Sequence, residues 1–143
     1  MNIAVRFQSR GGNTKAVAEA IANAAGVTAE PIDVPIAEPV DVLIIGGGVY
    51  MFALDESLVA FLNAMSTDAV KCIAPFSTGG GMSGTGKIAA IAKSRGIAVC
   101  AETLPVKMRL QNYAGKKGSA TLTAKQLDMV NVFIERIKVN GNL

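Results

Sequence analysis

The sequence predicts a three-layer, doubly wound α/β fold in which five parallel strands, in the spatial order 2-1-3-4-5, lie between helices on both faces. Short apolar runs alternate with longer segments that carry apolar residues at helical spacing, which favours parallel strands joined by right-handed crossovers. The central runs are continuously apolar, as in strands covered on both faces. The length of 143 residues, half of them hydrophobic, suits a single domain over 1–143.

The five predicted strands are apolar runs bounded by turn residues. The second is the weakest, because Pro31 removes a backbone donor and is tolerated mainly at the edge of a sheet. The third, fourth and fifth have the composition of buried strands. In chain order the predicted strands cover residues 3–7, 28–34, 41–47, 70–77 and 96–103.

Four helices are predicted from apolar residues at spacings of three and four. Gly26 is a stop signal for the first helix, and Thr123 is a fair N-cap for the last. Residues 104–122 stay irregular, and so long a connection in a compact domain indicates function or mobility. The predicted helices cover residues 13–25, 55–65, 85–95 and 123–138.

Three polar, glycine-rich loops follow the first, third and fourth strands, at residues 9–14, 46–52 and 77–86. In doubly wound sheets, ligands bind at the carboxyl ends of the strands, near the point where the strand order reverses. That point lies between the first and third strands in the predicted order. The three loops are therefore expected to meet there and to form a binding site.

The first loop has the chemistry of an anion site. It leads directly into a helix, whose N-terminus offers unpaired N–H groups and about half a positive charge. Gly11 and Gly12 let the backbone wrap a phosphate closely, while Ser9, Asn13 and Thr14 add polar side chains. The simpler alternative is that Ser9 or Asn13 only caps the helix, which accounts for one polar residue and not for six in succession.

The loop sequence SRGGNT resembles the Ser/Thr-x-Thr-Gly-Asn-Thr phosphate loop of flavodoxins, and IIGGGVYMFALDESLVAFL resembles the segment around the end of their third strand. The resemblance covers nearly the whole chain and implies the flavodoxin-like fold with bound flavin mononucleotide, FMN. It implies that the first loop holds the phosphate, the second contacts the flavin ring through Tyr50, Met51 and Phe52, and the third meets the pyrimidine edge through its backbone. The cofactor-binding residues implied in this way are Ser9, Arg10, Gly11, Gly12, Asn13, Thr14, Gly48, Val49, Tyr50, Met51, Phe52, Ser77, Thr78, Gly79, Gly80 and Gly81.

Two positions of the first loop depart from the family pattern. Gly11 replaces the usual threonine and removes one hydroxyl, and Arg10 places a cation where neutral donors are common. Arg10 either compensates at the phosphate or points into water. Tyr113, in the irregular segment, either covers the other face of the flavin ring or lies on the surface.

The resemblance implies an electron-transfer flavoprotein in which FMN supplies the redox chemistry and no side chain acts as a general acid or base. The chain has no histidine, which argues against a hydrolase of the Ser-His type. Two alternatives stay open: an FMN-dependent NAD(P)H or quinone reductase, and a binding module of the same fold that lacks FMN. The expected partner is a redox protein or a small electron acceptor, and the expected state is a monomer or dimer.

Two other nucleotide-binding patterns occur in the third loop, and both are weak. Residues 79–84 fit GxGxxG, but that fingerprint belongs on the first strand-to-helix turn of its unit. Residues 81–88 approach the phosphate loop of NTPases, but Ile88 stands where Ser or Thr would bind magnesium. No metal site is predicted.

Charge and cysteine content narrow the expected setting. The net charge of +3 is scattered, and the basic residues between Lys107 and Lys117 read as a solvated patch and not as a nucleic-acid groove. Cys72 and Cys100 lie in separate apolar runs without a CxxC motif, which predicts buried, reduced thiols in a cytoplasmic protein. No apolar run approaches the ~20 residues that span a bilayer, and no secretory signal is evident, so no membrane association is expected.

Overall fold

Seven strands and four helices make up the part of the chain that the computed structural model describes, residues 1–79, 83–108, 112 and 120–140. The strands are β1 (Ile3–Phe7), β2 (Ala29–Pro31), β3 (Val40–Tyr50), β4 (Ala53–Leu54), β5 (Val70–Thr78), β6 (Ala98–Val99) and β7 (Leu104–Val106). The helices are α1 (Asn13–Ala25), α2 (Glu56–Asn63), α3 (Gly84–Ser94) and α4 (Ala124–Asn140).

The main strands form one parallel sheet in the order β2-β1-β3-β5-β6. This order confirms the predicted 2-1-3-4-5 arrangement, because β4 is a two-residue strand that pairs only with the end of β3, antiparallel to it. β7 pairs with the second half of β5 and β6 with the first half, so both lie along the same edge. The switch point, between β1 and β3, is where the sequence placed it.

The far edge of the sheet departs from the prediction. The segment 96–103 was expected to be a buried strand, but only Ala98 and Val99 pair with β5, and this edge is half-exposed. The irregular segment predicted from residue 104 instead begins with β7, which buries Leu104 and Val106. The run of apolar residues in this segment predicted a long strand buried on both faces. The segment instead lies at the edge of the sheet, where the strand is shorter and less buried.

β3 separates two hydrophobic layers because its side chains alternate between the two faces of the sheet. Val42 and Ile44 pack with α1 and α4, while Leu43 and Ile45 pack with α2 and α3. All four side chains are at most 1% exposed. The helices reach these layers through residues at helical spacing, which are Val17, Ile21, Phe133 and Ile137 on one side and Leu58, Leu62, Ile88 and Ala92 on the other.

Gly46 lies in β3 at the point where the strand passes Phe76 of β5. A Cβ atom at this position would overlap both the carbonyl oxygen and the ring of Phe76. The ring of Phe76 is completely buried, so it has no free space to move into. The absence of a side chain at Gly46 therefore leaves room for the ring of Phe76 on the neighbouring strand.

Arg6 is a buried cation on β1 that holds the connection between β2 and β3. Its Nε donates to the carbonyl of Val34 at 2.9 Å, and Nη2 donates to that of Pro35 at 3.0 Å. A third bond runs to the carbonyl of Val5 at 3.1 Å. Burial lowers the pKa of Arg6 from its ordinary value, and the carbonyl dipoles around it satisfy its donors.

The ends of the helices follow the capping chemistry of their sequences. Asp55 accepts from the N–H of Ser57 at the start of α2, and Ser83 accepts from the N–H of Thr85 at the start of α3. Thr123 was predicted to cap the last helix, and it forms a reciprocal capping box with Gln126. In contrast, the N-cap of α1 is Gly12, and no side-chain hydrogen bond caps this helix.

The sulfurs of Cys72 and Cys100 are in contact, so the two cysteines form a pair and are not the separate thiols that the sequence predicted. The residues are 28 positions apart and share no short motif, which hid the pairing in the sequence. Parallel pairing of β5 with β6 places Cys72 opposite Ala98, with Cys100 just beyond it. Their Cα atoms lie 5.8 Å apart, an ordinary separation for bridged cysteines.

None of the helices in the described ranges is long and apolar enough to cross a bilayer.

Candidate functional site

A pocket of about 250 Å³ opens at the carboxyl ends of β1, β3 and β5. The three loops that were predicted to converge each contribute to it, and Met108, which follows β7, closes one side. Its lining residues are Ser9, Gly11, Asn13, Thr14, Gly48, Val49, Tyr50, Thr78, Gly79 and Met108. No carboxylate is among them, so the described walls favour a neutral or anionic ligand.

The floor of the pocket is a hydrogen bond between two threonines. The Oγ1 atoms of Thr14, in the first turn of α1, and Thr78, at the end of β5, are 2.9 Å apart. The two residues are only 1% and 4% exposed. Each hydroxyl has one donor and two acceptor positions, so the pair ties the first loop to the third and keeps polar capacity facing the pocket.

The first loop is shaped by its glycines and by Ser9. Gly12 has φ 95°, a left-handed conformation that glycine adopts readily, and its N–H donates to Ser9 Oγ at 3.1 Å. A Cβ at Gly11 would meet nothing within 4 Å, so this side of the loop is open. The loop therefore turns tightly into α1 and leaves its outer surface accessible.

The N-terminus of α1 has no side-chain cap and no acidic residue in its first turn. The first N–H groups of a helix lack intrahelical partners, and the helix dipole adds positive potential. Asn13 and Thr14, the first two residues of α1, line the pocket. This end of the pocket therefore fits a phosphate, which accepts hydrogen bonds and carries negative charge.

Arg10 belongs to the first loop, but it is not among the residues that line the pocket. Its guanidinium carbon is 3.8 Å from the centre of the Tyr50 ring, and its Nε donates to Asp55 Oδ2 at 2.8 Å. The side chain is 56% exposed. The sequence left open whether Arg10 serves a phosphate or points into water; in this structure it holds Tyr50 by a cation–π contact.

Tyr50 folds back over Gly48 at the end of β3. A Cβ at Gly48 would lie 3.0 Å from the hydroxyl oxygen of Tyr50, so the absence of a side chain there makes room for the phenol ring. With Arg10 on one side and the strand end on the other, the ring forms a wall of the pocket. It is the one aromatic residue among those that line the described pocket.

Met51 and Phe52 form the tip of a hairpin between β3 and β4 that the sequence did not predict. Both have positive φ, 49° and 68°, as a two-residue type I′ turn requires. They are 95% and 77% exposed and do not line the described pocket. Contact of these two residues with a flavin ring therefore stays a prediction. It requires a ligand that extends out of the pocket beyond Tyr50.

The third loop divides between the two faces of β5. Thr78 and Gly79, which were predicted to bind the cofactor, line the pocket. Ser77 points to the other face, where its Oγ accepts from the N–H of Gly84 at 3.2 Å and fixes the start of α3. The predicted residues Gly80 and Gly81 lie outside the described residues.

Two residues at the site were missed by sequence reasoning. Met108 lies in the segment predicted to be irregular, and only the pairing of β7 with β5 shows that the chain returns to the pocket there. Asp55 was interpreted as the start of a helix, and no local pattern indicates that it reaches Arg10, 45 residues earlier. Tyr113, the other candidate from that segment, lies outside the described residues.

Asp55 has its pKa lowered from 3.8 to about 2, chiefly because it accepts hydrogen bonds from the side chain and backbone of Ser57 and then from Arg10. A carboxyl whose pKa is lower in the folded than in the unfolded state stabilises the fold fully above its unfolded pKa. That contribution is lost as the pH falls from about 4 through about 2.

We expect Asp55→Asn to reduce the acid sensitivity of the protein. Asparagine is a good N-cap and retains an oxygen for Ser57, but it has no charge to lose and no ion pair with Arg10. Urea unfolding at intervals between pH 6 and pH 2 should show a smaller loss of stability below pH 4 for the variant than for the native chain. Superimposable pH profiles of the two proteins would contradict the role assigned to Asp55.

Comparison with known proteins gives one family match and several structures of the same fold. The family model described as "Flavodoxin domain" matches residues 4–134. A flavodoxin from the domain Archaea superposes with a TM-score of 0.74 at 19% identity, covering 100% of both chains. An NADH:FMN oxidoreductase in its apo form gives a TM-score of 0.65 at 15% identity, with 97% of this chain and 89% of that one covered. Rubredoxin:oxygen oxidoreductase from Desulfovibrio gigas gives 0.69 at 13% identity, with 98% of this chain and 36% of that chain covered.

At these identities the superpositions establish a common fold and leave the activity open. No curated protein sequence matches the chain.

Proposed function

The chain belongs to the flavodoxin domain family, and from this membership together with the geometry of the pocket we propose that it binds FMN non-covalently and serves in electron transfer. The observation that carries the proposal is the N-terminus of α1, which no side chain caps and which lies above the buried Thr14–Thr78 pair. A phosphate there would accept from backbone N–H groups and hydroxyls. When bound, FMN would supply the redox chemistry by accepting and releasing electrons.

The residues that would hold FMN divide by chemistry. Ser9, Asn13 and Thr14 and the backbone of Gly11 and Gly12 would bind the phosphate, since they surround the helix N-terminus. Tyr50 and Met108 form the less polar walls of the described pocket and would contact the ribityl chain or the ring.

The remaining residues of the site orient these groups. Arg10 would fix the ring of Tyr50, and Asp55 would fix Arg10, so that the wall of the pocket is set before the ligand arrives. Preorganisation of this kind raises affinity by lowering the entropy lost on binding.

We expect Thr14→Val to weaken FMN binding by about 1.5 kcal/mol, roughly tenfold in Kd, since it removes a hydroxyl from the proposed phosphate site while keeping the shape of the side chain. Riboflavin, which lacks the phosphate, should lose much less affinity. Fluorescence titrations of both flavins against the native and variant apoproteins measure the two changes. Thr14→Ser, which restores the hydroxyl, should bind FMN nearly as tightly as the native protein.

The control is Thr28→Val, the same chemical change on an exposed residue before β2, at the amino-end edge of the sheet. It should leave both affinities unchanged. Equal losses for FMN and riboflavin in Thr14→Val would refute the phosphate assignment, because general damage to the pocket affects both ligands alike.

Two cheap measurements separate the proposed carrier from its alternatives. A purified protein with flavin absorbance, releasing a molecule of the mass of FMN on denaturation, would exclude a binding module that lacks the cofactor. Sustained oxidation of NADH or NADPH in the presence of quinone would instead assign a reductase.

A further inference from the structure

The largest of the described cavities, about 640 Å³, lies at the opposite end of the sheet from the candidate site. Both cysteines, Cys72 and Cys100, line it, together with Lys71, Asp41 and Ile137. Cys72 is six residues before Thr78 on β5, so the two sites are roughly 20 Å apart along the strand. Neither the family nor the proposed function assigns a role to this cavity.

We propose that Cys72 and Cys100 are a reversible thiol–disulfide site, which a dithiol reductant reaches through this cavity, and that its oxidation state controls how firmly β6 is held to β5. Their sulfurs are in contact, and their Cα atoms lie 5.8 Å apart, a separation that a disulfide spans. Both residues are half-buried and both line the cavity, so they are not sealed in the core. The proposal does not depend on FMN.

The reaction is an exchange that balances without any further reactant. A thiolate of the reductant attacks one protein sulfur and forms a mixed disulfide, while the other protein sulfur leaves as a thiolate and takes up a proton. The second thiol of the reductant then displaces the first. Two electrons pass to the protein, which ends with two thiols, and the reductant ends as a disulfide.

The charges around the cavity bear on the approach of the attacking thiolate. Lys71 is adjacent to Cys72, is 81% exposed and has its Nζ 3.2 Å from Asp41 Oδ1. Lys71 and Cys72 are consecutive residues of β5, so their side chains leave opposite faces of the sheet and the ammonium is not directed at the sulfurs. Because Lys71 lines the cavity, its positive charge, partly offset by Asp41, still favours the approach of an anionic thiolate.

β6 is the element that the bond secures. It pairs with β5 through only two residues, Ala98 opposite Cys72 and Val99 opposite Ile73. One further bond continues the ladder, from the N–H of Cys100 to the carbonyl of Ile73 at 2.7 Å. A two-residue edge strand has little pairing of its own, and the disulfide closes the 28-residue connection that contains α3 at this point.

The first measurement uses the native chain and dithiothreitol as the dithiol. We expect reduced dithiothreitol to make both cysteines available to iodoacetamide without denaturant, as seen by intact mass, and oxidised dithiothreitol to reverse this. The rate should be insensitive to low concentrations of urea, which shows that the folded protein reacts. Labelling that occurs only at the rate of global unfolding, or thiols that stay free under oxidised dithiothreitol, would overturn the proposal.

The second measurement is hydrogen exchange, which tests the role of β6. The amides of Val99 and Cys100 should exchange at least tenfold faster in the reduced protein, while those of Ile44 and Ile45 in β3 should not change. The double variant Cys72→Ser/Cys100→Ser should exchange like the reduced protein whether or not dithiothreitol is present. Equal exchange of β6 in the oxidised and reduced native chain would refute control of the edge strand.

Discussion

Replacing Gly46 by alanine is expected to lower the free energy of unfolding by about 3 kcal/mol, the upper part of the usual range for overpacking a core. The added Cβ would overlap the backbone carbonyl and the ring of Phe76. Neither can give way easily, because β3 and β5 are paired on both sides of this point and Phe76 is fully buried. Urea unfolding followed by circular dichroism measures the loss.

The matched control is Gly86→Ala, in the first turn of α3. A Cβ there would meet nothing within 4 Å, and the residue is exposed. Alanine is the better helix former, so the free energy of unfolding of this variant should rise by about 0.5–1 kcal/mol. If both variants were equally stable, the close approach of Phe76 to Gly46 would be wrong.

The second expected result is a rise of about 2 kcal/mol in the free energy of unfolding when Met51 and Phe52 are replaced by Asn and Gly. Both native residues are held at positive φ, which costs a side-chain-bearing residue roughly 1–2 kcal/mol each. Asn-Gly is the preferred sequence for a type I′ turn. The native side chains are almost fully exposed, so little packing is lost in exchange.

If Met51 and Phe52 contact the flavin, as the family resemblance implies, the same variant should bind FMN less tightly than the native chain. Gly86→Ala is again the comparison, since it should be stabilised without any change in affinity for FMN. Unchanged stability in the Asn-Gly variant would show that the turn is not strained. Unchanged FMN affinity would remove the two residues from the candidate site.

Most of the fold follows from periodicity, because a parallel sheet covered on both faces leaves continuous apolar strands and amphipathic helices in the sequence. β1 begins and ends at the predicted residues, and Gly26 ends α1 with φ 75°. β3 extends past the predicted Gly47 to Tyr50. The extension is set by pairing with β4, a contact of only two residues that is too short to leave a pattern.

The loops of the candidate site were predictable for a similar reason. The carboxyl ends of parallel strands must share one edge, so polar residues that follow β1, β3 and β5 have to meet. Which side chains face the pocket was less predictable: Thr78 does and its neighbour Ser77 does not, because adjacent residues of a strand point to opposite faces.

Contacts between residues far apart in the sequence were beyond local patterns. Arg10 reaches Asp55, Cys72 reaches Cys100, and Met108 returns to the pocket only because β7 joins the sheet. Each contact depends on the order of the strands and on the register in which neighbouring strands pair. A sequence pattern specifies the elements and their order, but not which side chains meet across them.

The pocket draws on four stretches of chain that are distant in the sequence, ending at Thr14, Tyr50, Gly79 and Met108. No one of them forms the pocket alone, so a ligand that fits it has affinity for the folded chain and little for the unfolded one. By mass action, a ligand at a hundred times its Kd adds about 2.7 kcal/mol to the cost of unfolding. The supply of that ligand in the cell would therefore set how much of the protein escapes proteolysis, and abundance would follow occupancy.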